Sequence, residues 1–370
     1  MKHCYLHIPY CASKCPYCAF ASVAATPPGD FMAGIVRDFE AAMARDPETP
    51  QTLYVGGGTP TCLPPEQLVL LRKVHDAGQK TCATEFTVET NPATLDDEKA
   101  RILRACGVNR VSVGAQSFDA ATLAFLGRRH TADDTAATVR RLRAAGFSNI
   151  GLDLIAAVPE QPRTAFLSSL NCAIALAPQH LSVYALSIEE GTPFHKRGVT
   201  LPSDDEQLDQ IAAAEERLAR EGYRRYEISN YALPGYECRH NLAVWRGEDY
   251  TGIGPAAASR IGLTRSVNPW SVVSGQWSAL TPEEDEAERF MTGLRLAEGV
   301  AIPPTPQGTR WHAALNRLVP LGLATSRHCE GATIPRHCEG AEHPKQPRIR
   351  YALTPRGREV ADAILRELLP

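Results

Sequence analysis

The sequence has no apolar run approaching the length of a membrane span, which excludes an integral membrane segment. It shows no secretory leader: Met1-Lys2-His3 runs straight into the strand-like Cys4-Tyr5-Leu6-His7-Ile8. Neither sign of charge dominates, with 39 Lys and Arg against 42 Asp and Glu and a net charge of −3. The pI is near 6.4, and basic residues are not gathered on one face, so no nucleic-acid partner is expected. A G-x-G-x-x-G turn is missing, which argues against a Rossmann site. Cysteine is abundant at eleven, but the number is odd and eight are scattered: Cys4, Cys62, Cys82, Cys106, Cys172, Cys238, Cys329 and Cys338. Without a leader, a disulfide framework is not expected, and the chain reads as cytoplasmic and reduced. Most of the scattered cysteines read as small buried apolar residues.

The other three cysteines stand in the run Tyr10-Cys11-Ala12-Ser13-Lys14-Cys15-Pro16-Tyr17-Cys18. This C-x3-C-x2-C spacing gathers three thiolates on one short loop and supplies no fourth. A structural zinc site wants four ligands and is closed. A [4Fe–4S] cluster has four irons, usually all held by Cys. Three local ligands therefore point to a cluster with one iron left open for another group.

Short β-rich runs at 5–8, 53–55, 86–89, 110–114, 150–155 and 181–186 alternate with helical patterns at 29–45, 65–77, 95–105, 132–145, 164–175 and 203–221. A possible seventh strand lies at 225–229. Strand-then-helix repetition predicts an α/β fold with parallel strands, either a barrel or an open doubly wound sheet. The polar motifs favour a barrel, complete or partial. Gly56-Gly57-Gly58-Thr59-Pro60 follows the second strand, Glu89 ends the third, Gln116 ends the fourth and Asp153 lies late in the fifth, and barrel enzymes build their sites at C-terminal strand ends. The expected domains are a core at 1–235, a connecting segment at 236–280 and a smaller, mostly helical domain at 281–370. Within the last, a nine-residue direct repeat beginning Arg327-His328-Cys329 and again Arg336-His337-Cys338 reads as a disordered polar insert over 327–344. The other reading of its paired His-Cys dipeptides is a metal site.

The cysteine triad, the glycine run, Glu89 in V-E-T-N-P and Gln116 in G-A-Q-S-F together resemble the radical S-adenosylmethionine (SAM) superfamily. More narrowly they resemble its branch related to the oxygen-independent coproporphyrinogen III oxidase, with a partial (β/α)6-type barrel. The resemblance runs from Tyr5 to the C-terminal helix, leaving out the repeat. It implies that Cys11, Cys15 and Cys18 hold a [4Fe–4S] cluster whose open iron binds SAM. It implies aromatic packing by Tyr5 and Tyr17, and SAM contacts from Gly57, Gly58, Thr59 and Glu89. Three adjacent glycines would let backbone approach a ligand without a Cβ in the way. For Glu89 the alternative is a plain surface carboxylate. Gln116, Arg128 and Asp153 match positions lining a second SAM or substrate site. An Asp inside the apolar run Ile150–Ile155 needs a partner, and Arg128 is the candidate, so a structural ion pair stands beside the ligand reading.

Cys238-Arg239-His240-Asn241-Leu242-Ala243-Val244-Trp245 resembles the H-N-L-x-Y-W signature of the HemW-type heme chaperones, and Gly252-Ile253-Gly254-Pro255 follows as in that group. That likeness makes His240 a candidate heme ligand, with Trp245 suited to packing on a porphyrin face. The other reading of His240 is a hydrogen-bonded structural residue. Two features favour the chaperone over the oxidase. The oxidases carry a further Cys where Phe20 stands, and they have a long N-terminal segment that is not expected here. The resemblance thus implies a protein of porphyrin metabolism that binds heme and hands it to an acceptor protein, with an electron donor such as a flavodoxin or ferredoxin. No catalytic acid, base or nucleophile is assigned. The chain departs from the group pattern at Ala19, Val244, Ala256 and Ala258, where Asp, Tyr, Gly and His are usual. A third reading keeps the cluster as a structural or redox-sensing element in a binding module.

Overall fold

Strand and helix alternate as the pattern predicts because each strand puts one apolar face against helices. The computed structural model describes residues 1–46, 48–78, 85–269, 276–329 and 348–368. Six parallel strands lie side by side in chain order: β1 (His3–Ile8), β2 (Thr52–Gly57), β3 (Glu85–Thr90), β4 (Arg110–Gln116), β5 (Ile150–Ala156) and β6 (His180–Ala185). The helices that follow them are α1 (Phe31–Arg45), α2 (Leu71–Gly78), α3 (Asp97–Ala105), α4 (Ala132–Ala144), α5 (Arg163–Ala175) and α6 (Asp204–Arg220). Ser203 and Glu206 close a capping box at the start of α6, as its polar N-terminus predicted. The single helix expected over 65–77 is split into Pro65–Leu68 and α2. Backbone bonds tighten there from i→i−4 to i→i−3 at Leu70, Arg72 and Lys73, a short 3₁₀ connection.

Side chains alternate faces along a strand. Leu6, Ile8, Leu53, Val55, Phe86, Val88, Val111, Val113, Leu152, Leu154, Leu181 and Val183 form one buried core with helix residues such as Met32, Phe39, Val74, Leu103, Leu142 and Leu218. Each such side chain contributes about 1.5–3 kcal/mol of burial.

The strand expected at 225–229 is instead the edge hairpin β7 (Arg224–Arg225) and β8 (Asn230–Ala232), with β8 antiparallel to β6. The H-N-L motif forms the short helix α7 (Arg239–Trp245). After it, β9 (Tyr250–Ile253) joins β1 in parallel, and β10 (Ala258–Ile261), β11 (Thr264–Val267) and β12 (Gln276–Ala279) continue as an antiparallel meander. The twelve strands run β12-β11-β10-β9-β1-β2-β3-β4-β5-β6-β8-β7, an open, mostly parallel sheet of the partial-barrel kind. The expected connecting segment 236–280 therefore includes four strands of the main sheet. Its residues alternate too briefly to read as strands, because one face of a short edge meander stays wet (Val267 and Trp277 are exposed).

Two compact units divide the chain. The first holds residues 1–225, 229–243 and 248–279, and the second 226–228, 244–247 and 280–370. The second unit contains α8 (Pro282–Leu294), α9 (Pro306–Leu318) and α10 (Ala361–Leu368). It also contains a three-stranded antiparallel sheet in the order β13 (Val300–Ala301), β15 (Arg348–Leu353), β14 (Ala324–Cys329), richer in strand than the sequence pattern implied. Trp311 anchors its core, stacked on Phe290 at 4.0 Å and donating its indole N–H to the Leu368 carbonyl. Of the insert expected over 327–344, Arg327, His328 and Cys329 belong instead to β14, paired with Arg350, Ile349 and Arg348. Residues 330–344 lie outside the described residues. Among the described residues no helix is long and apolar enough to cross a membrane.

Candidate metal centre and the polar sheet face

Strands buried on both faces are normally apolar on both. Here the second face of β1–β6 is polar. It carries His3, Tyr5 and His7 from β1, Thr52 and Tyr54 from β2, and Glu85, Thr87 and Glu89 from β3. Arg110 and Ser112 come from β4, Asp153 from β5, and His180 and Ser182 from β6. Register sets Tyr5 beside Tyr54, Thr87 beside Arg110, Glu89 beside Ser112 and Asp153 beside Ser182. Arg110 is 1% exposed, and burial of so much polarity is costly unless the groups hold one another or a ligand.

The three cysteines sit on the loop that leaves β1, each partly exposed. A turn closed by the Cys18 N–H on the Cys15 carbonyl (3.1 Å) folds the loop. The Thr59 hydroxyl donates to Cys11 Sγ at 3.7 Å, and Arg128 Nη1 to Cys15 Sγ at 3.5 Å. Burial pushes the Cys11 thiol above its ordinary value, and the neighbouring Cys18 and Cys15 push the same way. Among the described residues no three His, Cys, Asp or Glu side chains converge as ligands of a single ion. A cluster binds each thiolate through a different iron, so its site needs a wider set. Tyr17 packs its ring near Phe194 (6.3 Å) over Leu126 and Ile155, pinning the loop on an apolar base.

The glycine run packs closely on protein atoms. A Cβ on Gly56 would lie 2.7 Å from the Glu89 carboxylate, one on Gly57 2.3 Å from the His7 ring, and one on Gly58 2.7 Å from the Tyr10 carbonyl. The amides of Gly57, Gly58 and Thr59 bond Glu89 Oε2 (3.2 Å), the Ile8 carbonyl and the Tyr10 carbonyl (both 2.8 Å). These glycines admit protein atoms, locking the cysteine loop and Glu89 against the end of β2. Gly57 also has φ +107°. Gly57→Ala is expected to cost more than about 3 kcal/mol, since strain and clash combine. Gly235→Ala, at φ +87° with open space around it, is expected to cost only about 1 kcal/mol. Denaturant unfolding of both separates the two effects.

Glu89 accepts from the Tyr54 hydroxyl at 2.7 Å as well as from Gly57, and burial raises its carboxyl to about 7. Tyr5 donates its hydroxyl to His7 Nδ1 at 3.0 Å, while His7 Nε2–H donates to the Ala21 carbonyl at 2.7 Å. His7 thereby ties β1 to the far side of the cysteine loop. Gln116 sits at a β-bulge with φ +63°, a strained conformation of the kind that clusters at functional sites. Asp153 is not partnered as expected. Ser182 donates to it at 2.6 Å and Ser112 at 3.2 Å, whereas Arg128 bonds the Gly114 carbonyl at 2.8 Å. Burial raises the Asp153 carboxyl, against the hydroxyls and the Arg110 charge. Arg128 Nε is buried with no partner among the described residues.

His240 lies away from the thiol loop, level with the starts of β1 and β2. It is 6% exposed, and burial pushes it down to about 3. Its Nδ1 is 2.8 Å from Thr52 Oγ1, which is 2.9 Å from His3 Nδ1, and His3 Nε2 faces Glu248 at 3.4 Å. Its ring packs on Tyr54 (5.1 Å), and Glu85 caps α7 by accepting from the Arg239 and His240 amides. Trp245 has the Arg295 guanidinium 4.6 Å over its ring. His240 is thus buried and hydrogen-bonded in this structure. His240→Ala is expected to lose about 2–4 kcal/mol, through a cavity and the loss of one of the Thr52 hydroxyl's two buried hydrogen bonds, with iron content per folded chain unchanged; urea titration and iron assay check both.

Sequence reasoning passed over His3, His7, Thr52, Tyr54, Glu85, Arg110 and Cys62. The available signal was polar residues at period two inside runs that should be apolar on both faces.

The model of the Radical SAM superfamily matches residues 5–173. The heme chaperone HemW of Lactococcus lactis is 38% identical over 315 residues, covering 80% of this chain and 82% of that protein. HemW of Escherichia coli is 35% identical over 312 residues, covering 80% and 82%. HemW of Mycobacterium tuberculosis is 32% identical over 392 residues, covering 99% and 94%. The chain belongs to the HemW family. The solved coproporphyrinogen III oxidase of Escherichia coli, described as a radical SAM enzyme, superposes with a TM-score of 0.76 over 99% of this chain and 89% of that one. At 22% identity that likeness shows a shared fold.

Proposed function

We propose that this HemW-family chain is a cytoplasmic heme chaperone that carries a SAM-coordinated [4Fe–4S] cluster and passes heme to an acceptor protein. The observation that carries the cluster and SAM part is the three-thiol loop fastened to a polar sheet face. The loop alone would be a metal site; the polar face gives a charged nucleotide somewhere to sit. Cys11, Cys15 and Cys18 would hold the cluster, which when bound supplies an electron and an open iron. The donors from Thr59 and Arg128 point at two of the sulfurs and would stabilise them as thiolates. Glu89, at the end of β3, would receive the cationic part of SAM, and Gln116, Arg128 and Asp153 would line the same face. The orphaned Arg128 Nε is a donor waiting for an acceptor. Tyr5, Tyr17, Gly57, Gly58 and Thr59 then act by building and fixing this wall. The heme part rests on the function of the HemW relatives, with His240 as the candidate iron ligand of the H-N-L motif. The donor of electrons would be a flavodoxin or ferredoxin.

The test uses anaerobic, reconstituted protein. One sample receives heme; another receives coproporphyrinogen III with SAM and reductant. Heme is expected to stay with the protein through gel filtration, and SAM to change the electron paramagnetic resonance spectrum of the reduced cluster. Appearance of protoporphyrinogen would overturn the chaperone in favour of the oxidase. A spectrum indifferent to SAM would leave only a structural or redox cluster.

A further inference from the structure

Beside Cys11 stands a second thiol that the proposed centre does not use. The segment Tyr10–Cys11 packs against Pro60–Cys62. The Thr59 hydroxyl donates to Cys11 Sγ at 3.7 Å, while the Thr59 amide donates to the Tyr10 carbonyl and the Cys62 amide to the Thr59 carbonyl, both at 2.8 Å. Both cysteines are partly exposed and line one open cavity of about 760 Å³, so a small oxidant reaches them. Cys15 is held otherwise, on Arg128.

We propose that in the cluster-free chain Cys11 and Cys62 form a reversible disulfide when they meet a two-electron oxidant such as hydrogen peroxide. The Cys11 sulfur attacks one peroxide oxygen, the O–O bond breaks, and one water leaves a sulfenic acid on Cys11. The Cys62 sulfur then displaces the hydroxyl, the S–S bond forms, and a second water departs. Two thiols lose two electrons, the peroxide gains them, and both thiol protons end in water. Backbone hydrogen bonds through Thr59 already hold the two segments together, which keeps the backbone movement needed small. It withholds Cys11 from iron until a dithiol reductant reopens it, and it stops Cys11 from oxidising irreversibly. This consequence for iron loading rests on Cys11 being a cluster ligand; the disulfide itself does not.

The experiment takes the full chain, reduced and free of cluster, and adds one equivalent of peroxide without air. Alkylation, digestion and mass spectrometry then map the thiols, and ferrous iron with sulfide follows. A Cys11–Cys62 peptide is expected to dominate, with cluster assembly lost until dithiothreitol is added. Cys62→Ser should load iron like the wild type when reduced, yield no such peptide, and show Cys11 as sulfinic acid once a second equivalent of peroxide is added; Cys62→Ala serves if the serine variant misfolds. A bridge from Cys11 to Cys15 or Cys18, or none at all, overturns the proposal. So does an oxidised chain that loads as readily as the reduced one. A reduced wild type that takes up no iron overturns the cluster reading instead, and the peptide map still decides the disulfide.

Discussion

Replacing Cys15 by serine is expected to abolish cluster assembly and leave the chain folded. The loop does not depend on that thiol for its shape. The Pro16 carbonyl accepts the Phe194 N–H at 3.0 Å, and Tyr17 packs on the Leu126, Ile155 and Phe194 cluster. Arg128 would lose a sulfur acceptor but keep the Gly114 carbonyl. The serine oxygen is a harder and far less acidic donor than the thiolate an iron–sulfur cluster requires. Removing a group that only supports a metal ligand typically costs about 10–100-fold in affinity, and removing the ligand itself should exceed that. Iron and sulfide per chain should fall to baseline while the urea midpoint shifts by less than about 0.5 kcal/mol in stability. Full retention of iron and sulfide would remove Cys15 from the ligand set.

That the loop could be found in the sequence, while its surroundings could not, has a physical reason. Ligand spacing along eight residues is local information, and C-x3-C-x2-C survives without any knowledge of the fold. The six core strands were legible for a related reason. Their apolar halves recur on one face, and the helices between them carry caps such as Ser203 with Glu206. The polar face depends on register, which brings Ser112 and Ser182 to Asp153 from strands 41 and 29 residues away. No local pattern distinguishes those serines from Arg128 as the partner. The close packing of the glycine run was hidden for the same reason: the atoms it meets belong to His7, Glu89 and Tyr10. His240 stands in a recognisable motif, yet its burial is decided by Thr52 and Glu85 on strands it meets only after folding.

The pH dependence of stability should carry the signature of Glu89. Burial lifts its carboxyl from 4.5 to about 7 in the folded chain, against the Tyr54 hydroxyl and Gly57 amide that favour the anion. Below pH 4.5 the group is neutral in both states and contributes no slope. Between 4.5 and 7 the unfolded chain gives up this proton while the folded chain keeps it. The unfolded state then binds fewer protons, so stability falls as pH rises through this window and levels off above it. At about 1.4 kcal/mol per unit the loss is on the order of 3 kcal/mol at most, less for the surface Glu89 keeps open. Glu89→Gln cannot ionise and should remove this contribution, leaving those of the other shifted groups, among them Asp153, whose carboxyl burial raises in the same sense. A cationic ligand group on this face reverses the preference, because an anionic Glu89 then has a partner. Binding of SAM near pH 6 is therefore expected to release close to one proton from the wild type and none from Glu89→Gln. Calorimetry in two buffers of different ionisation heat measures the released protons directly. Identical pH slopes for wild type and Glu89→Gln, or binding with no proton released, would remove Glu89 from the ligand's path.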